Sequence, residues 1–527
     1  LSLALLISLA PLPMAEAGQN DAVSLTANRI AAGYYHSLFV QDDGTILSWG
    51  WDEHGQLGIG SVTEKTYAKP QTVVGPDGKG ALSNVISVAA GDYHSLALDK
   101  DGKVWAWGNN GGGRLGIDPS TTASGVPVQV TGLTNVVAIE AGSFHSLALD
   151  RDGHVWAWGA NWSGQLGDNT YDSSFTPVQV VGPDGNDDLE DIVAISAGGY
   201  HSLALDVYGY VWAWGENTRG QLGIGSVPSS STPVQVEIKN EKGDSQQIIS
   251  IAAGENFSLA LDRDGHVWAW GENSDGQLGK ETDDTYSYPV KVENLPKIKS
   301  IAAGINHSLA VAEDGTVYAW GNNRYGQLGY GVLEACVSID SCTKFTNIKD
   351  LMNYVDKIKD DGVGLQIKII PETSPTPVKV GSIPSQMQVQ SVGNNGGLTN
   401  VVSIATGYQH SLALQSNGNL LAWGSNKNGQ LGNEKYYDFV LHSLLSELII
   451  PFPISLYDEP NPAPPSGGGR SGNDDTVPPP RCRQAVTAKL QDDDTIRRSL
   501  FPAFLQVQQN DGSLALRASN GWGSCST

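Results

Sequence analysis

The chain has 527 residues, of which 32 are basic and 56 acidic, for a net charge of −24. That length supports a large core and more than one domain. That charge disfavours a nucleic-acid partner, because a polyanionic backbone repels an acidic surface.

The first element is an apolar run that ends in Pro11, Pro13 and the small-x-small site Ala15-Glu16-Ala17. It is too short to span a bilayer, and its two prolines argue against a buried helix. Residues 1–17 are expected to be the apolar core and cleavage region of a secretory signal cut after Ala17. The expected location is therefore secreted, periplasmic or at the cell surface.

Residues 18–433 are built on one motif in seven copies, near 31–58, 89–116, 140–167, 196–223, 252–279, 302–329 and 405–432. Gly33, Gly91, Gly142, Gly198, Gly254, Gly304 and Gly407 occupy the same point of each copy. A recurrence at roughly 50 residues marks a repeat architecture. The spacing from His36 to Gly50 is kept from His94 to Gly108 and from His410 to Gly424, while length varies only in the connectors. A constant unit joined by variable loops is one packed supersecondary element.

Within the unit, Ser-Leu-Ala-Leu and Val-Trp-Ala-Trp alternate with the period of a strand. Between them stands Asp-x-Asp-Gly, as at Asp99–Gly102, Asp150–Gly153 and Asp262–Gly265. Asp-Gly is the strongest short hairpin signal, because the tight turn needs positive φ. Val85–Ala89 and the Pro-Val-Gln-Val segments at 127–130, 177–180 and 233–236 supply two further strands. Four strands with one apolar face cannot bury it alone, so the copies must stack. Radial stacking predicts an all-β, seven-bladed β-propeller of four-stranded antiparallel blades.

The pattern Ala-Gly-x-x-His-Ser-Leu-Ala-Leu, then Asp-Gly-x-Val-Trp-Ala-Trp-Gly-x-Asn-x-x-Gly-Gln-Leu-Gly, resembles the regulator of chromosome condensation repeat family over roughly residues 22–433. The resemblance implies the seven-bladed propeller. It is weaker evidence of activity, since many activities share the fold. Within the family the chain looks most like secreted bacterial members such as the type II β-lactamase inhibitory protein.

Residues 331–374 interrupt the array between blades six and seven, with Leu351, Val355 and Ile358 at helical spacing, Asn347 as a helix start and Gly362 as its stop. This insertion is expected to decorate the rim, since long surface loops cost little. Residues 434–480 hold a stretch at 441–456 that competes with Ala22–Leu25 to supply a ring-closing strand, then a Pro/Gly-rich linker. Residues 481–527 form a small tail with a hairpin signal at Asn510-Asp511-Gly512. Cys336 with Cys342, and Cys482 with Cys525, read as two disulfides in an exported chain.

Six copies place a histidine at one position: His36, His94, His145, His201, His307 and His410, with Phe257 in the fifth. A group needed equally in every blade reads as structural, and Phe257 shows that one copy dispenses with it. The Asp-x-Asp-Gly turns lack the closing glutamate of a calcium loop and read as hairpins. The tryptophans of the third strand read as core between blades.

Positions that vary at a fixed address are more informative. Just before the histidine stand Tyr35, Tyr93, Phe144, Tyr200, Asn256, Asn306 and Gln409. With Tyr34, Tyr408 and the loop residues Trp51 and Trp162, they form an aromatic crescent flanked by amides, a composition enriched in binding hot spots. No Ser/His/Asp order, phosphate loop or zinc motif stands out, so no cofactor, metal or catalytic residue is expected. The reading is an exported, monomeric, non-enzymatic propeller that docks a protein on one loop face, without a membrane span. The alternatives are guanine-nucleotide exchange on a small GTPase, as the resemblance implies, and a propeller lyase or hydrolase.

Overall fold

In the computed structural model, residues 28–62, 64–282, 284–329, 373–380 and 398–432 are described in full, and strands alone at Val332–Ser338, Ser341–Phe345, Leu365–Ile370, Phe452–Pro453, Phe504–Asn510 and Ser513–Arg517. Seven four-stranded antiparallel sheets follow one another along the chain, as the alternation predicts. Blade two is typical: its strands Val85–Ala90, His94–Asp99, Val104–Asn109 and Ala123–Gln129 pair in chain order. In blade six the fourth strand is Thr373–Lys379, so the last two residues of the insertion expected over 331–374 already belong to the blade. In blade seven the fourth strand is Phe452–Pro453, opposite Leu421 and Ala422, so the stretch at 441–456 supplies it. Ala22–Leu25 lie outside the described residues.

The hairpin chemistry explains the aspartates. Asp99 Oδ1 accepts the backbone N–H groups of Asp101 and Lys103 at 2.9 and 3.0 Å, and Oδ2 accepts the indole N–H of Trp105 at 3.0 Å. Gly102 supplies the positive φ of +76° that closes the turn. Both carboxylate oxygens thus serve the turn. Among the described residues no group of three or more His, Cys, Asp or Glu side chains is placed to hold a metal.

The second tryptophan of each third strand joins neighbouring blades. Trp107 is fully buried and donates to the Gln56 carbonyl of blade one at 2.9 Å. Trp49 donates in the same way to the Gln430 carbonyl of blade seven, which closes the ring by packing between the last blade and the first. Each interface adds a cluster of buried Leu, Val, Ile and Ala, such as Leu38, Val40, Ile46, Val88 and Ala97 between blades one and two. Each large side chain so buried contributes about 2–3 kcal/mol. The interfaces between blades therefore form the core.

Among the described residues the only helical element is a 3-10 turn at Gly111–Gly113, and no helix is long and apolar enough to cross a membrane. The insertion is a hairpin of Val332–Ser338 and Ser341–Phe345, extended by Leu365–Ile370 and then by the tail strands Phe504–Asn510 and Ser513–Arg517. Its register sets Cys336 opposite Cys342. The helix expected over 347–358 and the second cysteine pair lie outside the described residues.

Candidate functional site at the axial mouth

The loop between the first and second strands of every blade opens at one end of the propeller. The hairpin between the second and third strands opens at the other. The shared glycine starts the first loop, and the seven glycines form a ring about the axis. A Cβ on Gly33 would strike the Gly91 carbonyl oxygen and its own blade's His36 ring, and the same geometry recurs to Gly407, which meets Gly33. Only glycine fits there. Backbone bonds stitch the ring: Tyr34 N donates to Gly91 O at 3.4 Å, Ser143 N to Gly198 O at 3.2 Å and Tyr408 N to Gly33 O at 3.3 Å.

Outside that ring runs a second one of side chains. His36 Nε2 meets Ser95 Oγ of the next blade at 2.9 Å, as do His94 and Ser146, His201 and Ser258, His307 and Ser411, and His410 and Ser37, with His145 and Ser202 at 2.8 Å. Each serine hydroxyl also donates to the carbonyl that accepts the buried indole, as Ser95 does to Gln56 O at 2.8 Å. That uses its one proton, so the imidazole must donate from Nε2. Nδ1 is then a bare acceptor, buried without a partner in all six histidines. Burial holds His36, His145, His201, His307 and His410 down at about 3, and His94 well below its ordinary value. These rings are neutral at physiological pH. In blade five Phe257 fills the same place, and Ser308 keeps only its bond to Gln277 O at 2.8 Å.

The aromatic residues singled out above gather at this end in two groups. Tyr34 stacks on Tyr408 at 4.1 Å and meets Tyr35 edge-on at 4.4 Å, and Trp51 lies 5.6 Å from Tyr35 and 6.0 Å from Tyr93. Phe144 stacks on Tyr200 at 4.9 Å, with Trp162 6.0 Å from Phe144 and 60% exposed. Arg114 separates the groups, its guanidinium 5.0 Å from the Phe144 ring centre. Burial raises the Tyr34 and Tyr35 hydroxyls, Tyr35 to about 12, so the rings stay uncharged. The amides occupy the matching loops of blades five, six and seven. Asn256 Nδ2 donates to Glu272 Oε2 at 3.2 Å, and Asn306 and Gln409 are half-buried in the matching loops of blades six and seven.

Between the two groups, on the axis, sits a polar cluster absent from the sequence-based reading. Ser143 Oγ donates to Glu255 Oε2 at 2.9 Å, and Asp92 lines the same mouth. Arg114 is buried, with Nη1 3.3 Å from the Ser143 carbonyl and Nε 2.8 Å from Gly111 O. Burial and then the Glu255 charge push Asp92 up to about 7, against Ser143 and Arg114, which lower it. Burial raises Glu255 as well. Glu140, in the first strand of blade three, is raised by burial to about 8 and accepts from Asn28 Nδ2 at 3.3 Å. Two signals marked this cluster. The residue after the ring glycine varies as Tyr34, Asp92, Ser143, Gly199, Glu255, Ile305 and Tyr408, and Arg114 replaces the glutamine of Gly-Gln-Leu-Gly.

A family model described as an RCC1-like domain matches residues 182–454, just over half of the chain. Two models of the regulator of chromosome condensation (RCC1) repeat match 43–98, 101–149 and 152–205, and 28–56, 85–114 and 136–165. The Arabidopsis thaliana RCC1 domain-containing protein RUG3, mitochondrial, is 33% identical over 257 residues, which are 47% of this chain and 55% of that protein. The Arabidopsis thaliana ultraviolet-B receptor UVR8 is 30% identical over 269 residues, 51% of this chain and 58% of that protein. The chain thus spans little more than half the length of these relatives. The structure of Prp20p from Saccharomyces cerevisiae, described with its binding to Gsp1p and histones, superposes with a TM-score of 0.57 at 25% identity, over 79% of this chain and 87% of that one.

Proposed function

This chain belongs to the RCC1-like family of propellers, and from that premise we propose that it is a non-enzymatic docking protein that holds a protein partner on the crescent face. The observation that carries the reading is the split in how residues are used. The histidines, serines and buried tryptophans are spent between blades, whereas the rings around the axis vary from blade to blade and keep partly open surfaces. Clustered Tyr and Trp around a few buried charged groups is the composition of interface hot spots. The likeness to Prp20p, described as binding Gsp1p and histones, supports a protein as the occupant. Catalysis by the histidine ring is disfavoured: each Nε2 is bonded, each Nδ1 is packed against glycine, and burial keeps the rings neutral.

The apolar run before Ala17 and the net charge of −24 favour an exported protein over a nuclear one. N-terminal sequencing of the mature chain and fractionation test that placement. Crosslinking capture from the producing cells tests the docking face. A specific partner taken by the unaltered chain is expected to fall at least tenfold with Trp162→Ser and Tyr200→Ser together, and capture unchanged by both sinks the reading. Exchange on a small GTPase, the second reading, draws on the Prp20p likeness. A fluorescent-nucleotide release assay that shows catalysis by this chain would establish it instead.

A further inference from the structure

The opposite end of the propeller carries a feature that the blade itself does not require. Six of the seven hairpins there present polar tips, such as Lys100-Asp101-Gly102-Lys103 and Arg151-Asp152-Gly153-His154. Blade four presents Val207-Tyr208-Gly209-Tyr210, with Val207, Tyr208 and Tyr210 exposed by 59, 63 and 47%. The turn is nonetheless built like the others. Asp206 Oδ1 accepts from Tyr208 N and Tyr210 N at 2.9 Å, Oδ2 accepts from the Trp212 indole at 3.0 Å, and Gly209 has φ +85°. Since the polar tips make the same turn, the aromatic residues do not serve folding. They also expose apolar surface that the other hairpins avoid.

These rings wall a groove of about 510 Å³ against the connector from blade three, which contributes Pro183, Leu189 and the acidic residues Asp188, Glu190 and Asp191. All three acidic residues are exposed, and no side-chain hydrogen bond or ion pair engages their carboxylates among the described residues. No cation lines the groove, and no lysine or arginine stands between Arg151 and Arg219 in the chain. We infer that this groove is a second binding site, for an extended peptide segment bearing arginine. Charge complementarity selects the occupant. A guanidinium stacks on the exposed faces of Tyr208 and Tyr210 and forks onto the free carboxylates. The site lies at the other end of the blades from the crescent and does not depend on it.

Calorimetric titration of the full chain with acetyl-Gly-Arg-Gly-Arg-Gly-amide tests this, beside the same peptide with citrulline for arginine and a neutral linear hexasaccharide. The arginine peptide should bind at least tenfold more tightly than the citrulline one, and more weakly in high salt. Val207→Arg, Tyr208→Asp and Tyr210→His together install the blade-three turn, which this fold already accepts. That variant should lose at least tenfold in affinity with an unshifted melting temperature. Asp188→Asn with Glu190→Gln should lose as much, and gives a readout should the triple variant fold poorly. Equal binding of the citrulline peptide, no binding of the arginine peptide, affinity undiminished in both variants, or preference for the saccharide would each overturn the assignment. Trp162→Ser with Tyr200→Ser should leave this titration unchanged, so the groove and the crescent fail separately.

Discussion

Blades two and five each break the repeat once at the axis, in different ways. Blade two keeps His94 and exchanges the glutamine for Arg114. Blade five keeps Gln277 and exchanges the histidine for Phe257. At the glutamine position the bond to the next blade is made by the backbone: Arg114 O accepts from Ser146 Oγ at 2.8 Å and from the Trp158 indole at 3.0 Å, as Gln56 O does for Ser95 and Trp107, while the glutamine side chain closes its own loop, Gln56 Oε1 accepting from His54 N at 2.8 Å. In blade two Arg114 closes the loop differently, its Nε donating to Gly111 O at 2.8 Å, and brings a buried cation beside Asp92. At the histidine position the side chain does the work. Phe257 keeps the packing against Gly254 and gives up the bond to the next blade, so that exchange trades a hydrogen bond for apolar contact. A repeat position is thus available for function where its backbone makes the bond between blades and a different side chain can still close the local loop.

The comparison can be broken most sharply at the ring itself. Gly91→Ala and Gly254→Ala should both unfold readily, each losing about 3 kcal/mol or more in thermal melts, because a Cβ meets a neighbouring carbonyl whichever side chain follows. If either melted like the unaltered chain, the two blades would not share a ring constraint.

Acid should separate them next. The histidines bind fewer protons folded than unfolded, since burial lowers them to about 3 from an ordinary value near 6.5. Their contribution is complete above that ordinary value and is lost as pH falls from about 6.5 towards 3, by up to about 1.4 kcal/mol per pH unit for each histidine. His94→Phe makes blade two resemble blade five. It should cost about 1 kcal/mol at neutral pH, by loss of the bond to Ser146, and flatten the acid limb of stability against pH. Phe257→His should steepen that limb, and denaturant titrations at several pH values read both.

The carboxylates run the other way. Asp92, raised to about 7, and Glu140, raised to about 8, hold protons more tightly when folded. Their contribution is present below about pH 4 and is lost as pH climbs through those values. Asp92→Asn and Glu140→Gln should raise the melting temperature by a few degrees at pH 8 and leave it unchanged at pH 4. The smallest effect is expected from Arg114→Gln, which restores the repeat residue and removes the cation from the face of Phe144. It should cost under about 1 kcal/mol of stability, while partner capture on the crescent falls measurably.

Much of this was legible in the chain. The alternation in Val104–Trp107, the Asp-Gly turns and the fixed spacing from His94 to Gly108 specify strands, hairpins and a repeat, because they act over a few residues. The rings of Tyr35, Tyr93, Phe144 and Tyr200 were visible as variation at one address. Their division into two groups was not, nor was the meeting of Asp92, Ser143 and Glu255. Those three come from blades two, three and five, and no local pattern encodes a contact made across the axis.

What the sequence determined by itself is the blade and the number of blades, since a strand period, a turn residue and a copy count are local or countable. The tertiary structure decided which variable residues meet. Closing the ring brings residues from separate blades together at one small mouth, and there desolvation and neighbouring charge raise Asp92, while the same burial holds the histidines neutral. Local propensity is a property of neighbours in the chain, whereas electrostatics and access to solvent belong to neighbours in space.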